Sequence, residues 1–125
     1  MPQKTPHILV LTQNRRNRDL LIQFLREKEG YAAQGAATLQ ELDEHLDQED
    51  CFSSALLDIT GFDSSIWQRC ERLRENSVPF VILSPKQSKA LHQEAQVRGA
   101  RNVLVKPLVM KELSALLKGL HEGED

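Results

Sequence analysis

Aromatic residues are scarce in this chain: one Trp, one Tyr and four Phe make up 5% of its 125 residues. So thin a supply argues against the stacking platforms on which proteins hold single-stranded bases. An excess of one charge is missing too. Sixteen Lys and Arg against 18 Asp and Glu leave a formal net charge of -2, so no global field draws the chain toward nucleic acid or an anionic membrane. No stretch approaches the ~18 apolar residues of a membrane span. The start, Met1-Pro2-Gln3-Lys4-Thr5-Pro6, lacks the apolar run of a signal peptide. Cysteine is limited to Cys51 and Cys70. Two isolated cysteines without metal-ligand spacing read as reduced thiols, and hence as a cytoplasmic protein. The histidines His7, His45, His92 and His121 are scattered, read as exposed, and stand at no metal-ligand spacing.

What is present is a regular alternation. Ile8-Leu9-Val10-Leu11 is a short, wholly apolar run, the mark of a strand buried on both faces. Asn14 can cap the helix that follows, whose inward face carries Leu20, Leu21, Phe24 and Leu25 and which ends at Gly30. Residues 31 to 36 form a weaker strand candidate. Thr38-Leu39-Gln40-Glu41 is a capping box, opening a helix with Leu39, Leu42 and Leu46 inward. The acidic stretch around Glu41, Asp43, Glu44, Asp47, Glu49 and Asp50 reads as a solvated helix face. A strand over 52 to 58 is followed by a helix with Ile66, Cys70 and Leu73 inward. Then come a strand over 80 to 83, a polar helix over 86 to 98 ended by Gly99, and a strand over 102 to 105. A last helix carries Val109, Leu113, Leu116, Leu117 and Leu120, of which Leu117 and Leu120 fit either the core or a dimer surface. Five β-α units in succession predict a flavodoxin-like α/β sandwich with a five-stranded parallel sheet. Residues 1 to 125 form one domain with a core from about 7 to 120. The polar tail from His121 to Asp125 is expected to fray and fits either a native end or a longer parent protein.

Three of the predicted strands end in polar residues. Ser54-Ala55-Leu56-Leu57 runs into Asp58, Phe80-Val81-Ile82-Leu83 into Ser84, and Val103-Leu104-Val105 into Lys106-Pro107. Parallel α/β sheets bind ligands at the carboxyl ends of their strands. An acid, a hydroxyl and an ammonium delivered there form one candidate site.

With these residues, spaced as they are and with Gly99-Ala100 before the last strand, the chain resembles the receiver domain of two-component response regulators from Ile8 to about Leu120. The resemblance implies a flavodoxin-like sheet in the receiver arrangement. It makes Asp58 the phosphoacceptor for a histidine kinase, Ser84 the switch hydroxyl and Lys106 the lysine that contacts the phosphoryl group. Pro107 matches a residue that often follows a cis bond, an isomer that proline makes accessible.

Several positions depart from the family pattern. Receivers supply an acidic pair after the first strand to hold Mg²⁺, and this chain has Thr12-Gln13, followed by Asn14. Mg²⁺ relies on carboxylates, waters and phosphate oxygens. At an effective dielectric of about 20, each missing charge contact at ~4 Å is worth roughly several kcal/mol before desolvation. No resident cofactor is therefore expected, and Mg²⁺ binding is expected to be weak or absent. In the family, the N–H after the switch hydroxyl helps to hold the phosphoryl group, and Pro85 has no N–H. The family's Met-Pro and Asp-Gly loop features are replaced by Ile59-Thr60-Gly61-Phe62-Asp63, and the switch aromatic by Val103.

Two readings follow. One is an atypical receiver acting mainly through protein contacts. The other is a conventional phosphorelay receiver that accepts a phosphoryl group at Asp58. Neither would be a stand-alone enzyme. Partners would be a histidine kinase or another signalling protein, with an effector domain or a second copy on the face formed by residues 86 to 120. Direct contact with nucleic acid or membrane is not expected. A nucleotide- or small-ligand-binding flavodoxin-like protein ranks lower, because 12 to 16 contain no glycine to cradle a phosphate. For Asp58 the alternative to chemistry is an ion pair with Lys106; for Ser84 it is a hydroxyl spent on local backbone. Arg15, Arg16 and Arg18 either place a guanidinium near Asp58 in lieu of a metal or form a solvated helix start.

Overall fold

The computed structural model describes residues 5–48 and 52–122. Cys51, Glu49, Asp50, the first four residues and the last three lie outside the described residues. The elements alternate as the sequence pattern requires: β1 (His7–Leu11), α1 (Arg15–Glu27), β2 (Ala32–Ala36), α2 (Leu39–Gln48), β3 (Ser54–Asp58), α3 (Ile66–Glu75), β4 (Phe80–Ser84), α4 (Lys89–Val97), β5 (Asn102–Val105) and α5 (Met110–Glu122). The five strands pair in parallel in the order β2-β1-β3-β4-β5, a flavodoxin-like sheet. The order reverses between β1 and β3, and their carboxyl ends form the crevice where such folds bind ligands.

Alternation along the strands divides the core between the two faces. Leu9, Leu11, Ala55, Leu57, Phe80 and Ile82 pack with Leu42, Leu46, Ile66, Cys70, Leu73 and Ala95, under α2, α3 and α4. Ile8, Val10, Leu56, Val81 and Leu83 pack with Leu21, Leu25, Leu113 and Leu117, under α1 and α5. Leu117 is thus core, and Leu120 packs against the same cluster. All five residues of β3 and of β4 are buried, which explains their nearly unbroken apolar sequences.

Helix starts follow side-chain chemistry. The Asn14 side chain accepts from the Asn17 N–H at 2.9 Å, and Thr38 Oγ1 accepts from the Glu41 N–H at 3.1 Å. Glu41 reaches back to the Ala37 N–H at 2.8 Å, one residue before the cap.

Several expected boundaries and faces shift. β3 begins at Ser54 rather than 52; Phe52 is buried ahead of the strand. β2 begins at Ala32. α4 begins at Lys89, not at 86, because Ser88 caps it by accepting from the Leu91 N–H at 3.2 Å. Leu20 is 55% exposed and Val109 53%, and Val109 precedes α5. Three histidines are also less exposed than expected. The His7 ring lies 4.5 Å from that of Phe52, His45 donates to the Gly35 carbonyl at 3.0 Å, and His121 bonds Ser54 at 3.2 Å. His92 is exposed.

Candidate functional site

The carboxyl end of β3 places Asp58 in the crevice. Its side chain is 5% exposed, a position that a carboxylate occupies only with partners. Both oxygens are engaged. Oδ2 accepts the Thr12 hydroxyl at 3.0 Å and meets Lys106 Nζ at 2.5 Å. Oδ1 accepts the Thr60 N–H at 3.0 Å. Lys106 also donates to Thr60 Oγ1 at 3.1 Å. Three residues from three loops thus close one network around a single buried carboxylate.

Thr12, 2% exposed, follows the last residue of β1 and is anchored by its N–H to the Ala36 carbonyl at 3.0 Å. Gln13 crosses toward the opposite loop, where its Nε2 donates to the Gly61 carbonyl at 3.1 Å. Gly61 has φ +85, and a Cβ there would run into the Gln13 amide. Glycine therefore satisfies both the backbone and the close approach. The two positions where receivers carry an acidic pair here tie the β1–α1 loop to the β3–α3 loop.

Ser84 ends β4 and is fully buried. Its hydroxyl donates to the Lys86 carbonyl at 2.6 Å and accepts the Lys86 N–H at 3.3 Å. The side chain bridges Pro85 and is spent on backbone. The Lys106 N–H donates to the Ser84 carbonyl at 2.9 Å, joining the β4 and β5 ends. The Lys106-Pro107 peptide bond is cis. Val103 packs in the core under α4.

The arginines divide. Arg15 and Arg16 are exposed, and Arg15 faces Asp19 at 3.9 Å. Arg18 donates to the Thr12 carbonyl at 2.9 Å and its stem lies over Gly35, where a Cβ would come within 2.9 Å of Arg18 Cδ. Arg18 braces α1 on β2, and the ion partner of Asp58 is Lys106.

Sequence reasoning missed Thr60, Gly61 and Asn17 as parts of this end of the molecule. The signal for Thr60 was its place two residues after an Asp, where the backbone N–H can turn back to the carboxylate. Among the described residues, no group of three or more His, Cys, Asp or Glu stands where it could hold a metal ion, and no helix is long and apolar enough to cross a membrane.

No protein-family model matches the chain, and no curated protein matches it. Solved structures do. A response regulator from Thermotoga maritima superposes with a TM-score of 0.83 at 23% identity, over 95% of this chain and 99% of that one. A pilus assembly-related protein from Burkholderia pseudomallei gives 0.82 at 19% identity, over 94% and 90%. The beryllofluoride-activated NtrC4 receiver domain, a dimer, gives 0.83 at 23%, over 95% and 98%. At these identities the likeness shows the fold: a five-stranded, five-helix α/β sandwich matching that of receiver domains.

Proposed function

We propose that this chain is an atypical receiver domain in signal transduction, working mainly through protein contacts, with Mg²⁺-dependent phosphorylation impaired. The observation that carries the reading is the engagement of both Asp58 oxygens. Its two oxygens already take an ammonium, a hydroxyl and a backbone N–H. To attack phosphorus, the carboxylate would have to leave these partners in a site with no second acid to help recruit a divalent ion.

The donor set at the site supports the Mg²⁺ half of the proposal. Thr12 and Gln13 present a donating hydroxyl and a donating amide to their neighbours. Mg²⁺ needs oxygen lone pairs, and Lys106 already supplies the positive charge beside Asp58. Pro85 adds no N–H toward an anion, and Ser84 faces the Lys86 backbone. Incubation with a small phosphodonor or beryllofluoride, with and without Mg²⁺, followed by mass and amide NMR, tests this. The expected result is no Mg²⁺-dependent change. Modification that requires Mg²⁺ and disappears in Asp58→Ala would overturn it.

The second reading is a conventional receiver in which the phosphoryl group passes from a kinase histidine to an Asp58 oxygen. It is favoured by the placement of Asp58, Ser84 and Lys106 at the carboxyl ends of β3, β4 and β5, where Asp58 and Lys106 meet. The double change Thr12→Asp with Gln13→Asp bears on both. Gained Mg²⁺ binding supports the account of the metal defect, and unchanged binding refutes it.

For partners we propose a histidine kinase or another signalling protein. The face over 86 to 120 would meet an effector or a second copy. Its exposed Val97, Val105 and Met110 support that use, as does the dimeric state of the NtrC4 receiver. A cytoplasmic setting fits the free thiol of Cys70.

A further inference from the structure

Charge is unevenly spread along the chain. Between Asn76 and Lys111, six Lys and Arg stand against a single acid, Glu94, while the rest of the chain holds ten against seventeen. Glu94 is already taken by Arg98 at 2.8 Å, and Lys106 is taken by Asp58. Lys86, Lys89, Arg101 and Lys111 are exposed and have no ion pair among the described residues. Unpaired cations gathered on one part of a chain of net charge -2 match a partner of the opposite sign.

A groove of about 220 Å³ lies in this region, between the start of α4 and β5. Leu91, Val103 and Val105 give it an apolar lining; Lys86, Lys89 and His92 give it a basic one, and no acid lines it. Ser84 holds both the N–H and the carbonyl of Lys86, so the Lys86 backbone is fixed before any partner arrives. Lys89 opens α4, whose first turn contains no acid. A cation there opposes the helix dipole, and a carboxylate brought from outside would offset both. β5 is an edge strand and Val105 is 39% exposed, so an apolar side chain can be buried beside the cations.

Three kinds of occupant differ in what they bring. Nucleic acid brings charge, but its phosphates make no use of the apolar lining, and no Phe, Tyr or Trp lines the groove for a base to stack on. A second copy would bring the acids of α2, but Asp43 and Asp47 already pair with Arg69 and Arg72, and Glu41 accepts the Ala37 N–H. An acidic segment with apolar residues between its acids suits both linings at once.

We propose that the groove between α4 and β5 docks an acidic peptide segment of a partner protein, its carboxylates on Lys86 and Lys89 and an apolar side chain against Leu91, Val103 and Val105. This rests on the reading that the face over 86 to 120 meets a partner, and not on whether Asp58 accepts a phosphoryl group.

The test is an NMR titration of the full chain with the capped peptide Glu-Asp-Leu-Glu-Val-Glu-Asp. Its controls are the same peptide with every acid changed to its amide, with every acid changed to Lys, and with Leu and Val changed to Ser, together with a short DNA duplex. The acidic peptide is expected to give saturable shifts at Leu91, Val103 and Val105, and to bind at least about tenfold more tightly than the amide or Ser peptides. Its affinity should fall several-fold as salt rises from about 0.05 to about 0.5 M. Lys86→Glu with Lys89→Glu, both at exposed positions, should leave the amide spectrum of the rest of the fold in place and transfer the preference to the Lys peptide. Equal binding of the amide peptide, tighter binding of the duplex, an unchanged preference in the folded double variant, or the same shifts produced by self-association would overturn the acidic occupant and leave the face a docking surface. No saturable shift, or shifts confined to other parts of the molecule, would overturn the acidic occupant and count against the face as well.

Discussion

Two ionic clusters use similar chemistry in opposite surroundings. At the carboxyl ends of the strands, Lys106 meets Asp58 at 2.5 Å, with side chains 25% and 5% exposed. Between α2 and α3, Asp43 takes Arg69 at 2.9 Å and Arg72 at 3.7 Å, all three side chains between 23% and 34% exposed. Arg72 also pairs with Asp47, which is 66% exposed. Water can replace either partner in the second cluster. In the first, removal of Lys106 leaves the buried Asp58 carboxylate without its ion partner, whereas Lys106 itself can still reach water. The difference teaches that burial of the acid sets the dependence: Asp58 needs Lys106 more than Asp43 needs either arginine. The residues around Asp58 hold one another through their own contacts.

The largest expected effect comes from separating that pair. Lys106→Met should cost about 3–5 kcal/mol of stability, the penalty for an orphaned buried charge, measured by urea unfolding. Adding Asp58→Asn should recover a large part of the loss, since the stranded charge is gone. A double mutant no better than the single one would break the comparison.

A smaller effect is expected at the link between loops. Gly61→Ala forces a side chain into a positive φ and against the Gln13 amide, for a loss of roughly 1–3 kcal/mol. Combining it with Gln13→Ala should relieve the steric part and leave the backbone part. Full additivity in denaturant melts would mean that Gln13 does not press on Gly61.

The surface cluster should respond least among the ion pairs. Arg72→Ala is expected to change stability by no more than ~1 kcal/mol, and the change should shrink further in high salt. A loss as large as that of Lys106→Met would erase the distinction between the two clusters.

This contrast also separates what was legible in the sequence from what was not. The apolar runs of β1, β3 and β4 and the caps at Asn14 and Thr38 are local features, and each appears in place. The ion pair between Asp58 and Lys106 was readable as an alternative, because both end strands of a parallel sheet. The Gln13–Gly61 bond joins residues 48 apart, through loops whose course no periodicity dictates. Leu20 looked inward because α1 carries a broad apolar stripe, and the sheet covers only the part holding Leu21 and Leu25. The uncovered part stays exposed. Ser84 read as a strand-end hydroxyl, but its hold on Lys86 across Pro85 depends on a turn that the residues alone do not specify.

The smallest effect concerns a neighbour of a third cluster. Arg98 pairs with Glu94 at 2.8 Å and with Glu71 at 3.6 Å, above the buried Cys70. Burial pushes the Cys70 thiol up from 9.0 to about 12, against the lowering influence of Arg98 and with a small rise from Glu71. The folded thiol thus holds its proton when the unfolded one has lost it. The stability this gives is complete below about pH 9 and is lost as pH rises toward 12. In a Cys51→Ser background, Cys70 should resist iodoacetamide at pH 8 until the chain is unfolded. Arg98→Ala should change that resistance little, because desolvation outweighs the nearby guanidinium. Rapid alkylation of the folded protein would show that burial does not dominate even in the core, and would weaken the same reasoning for Asp58 and Lys106.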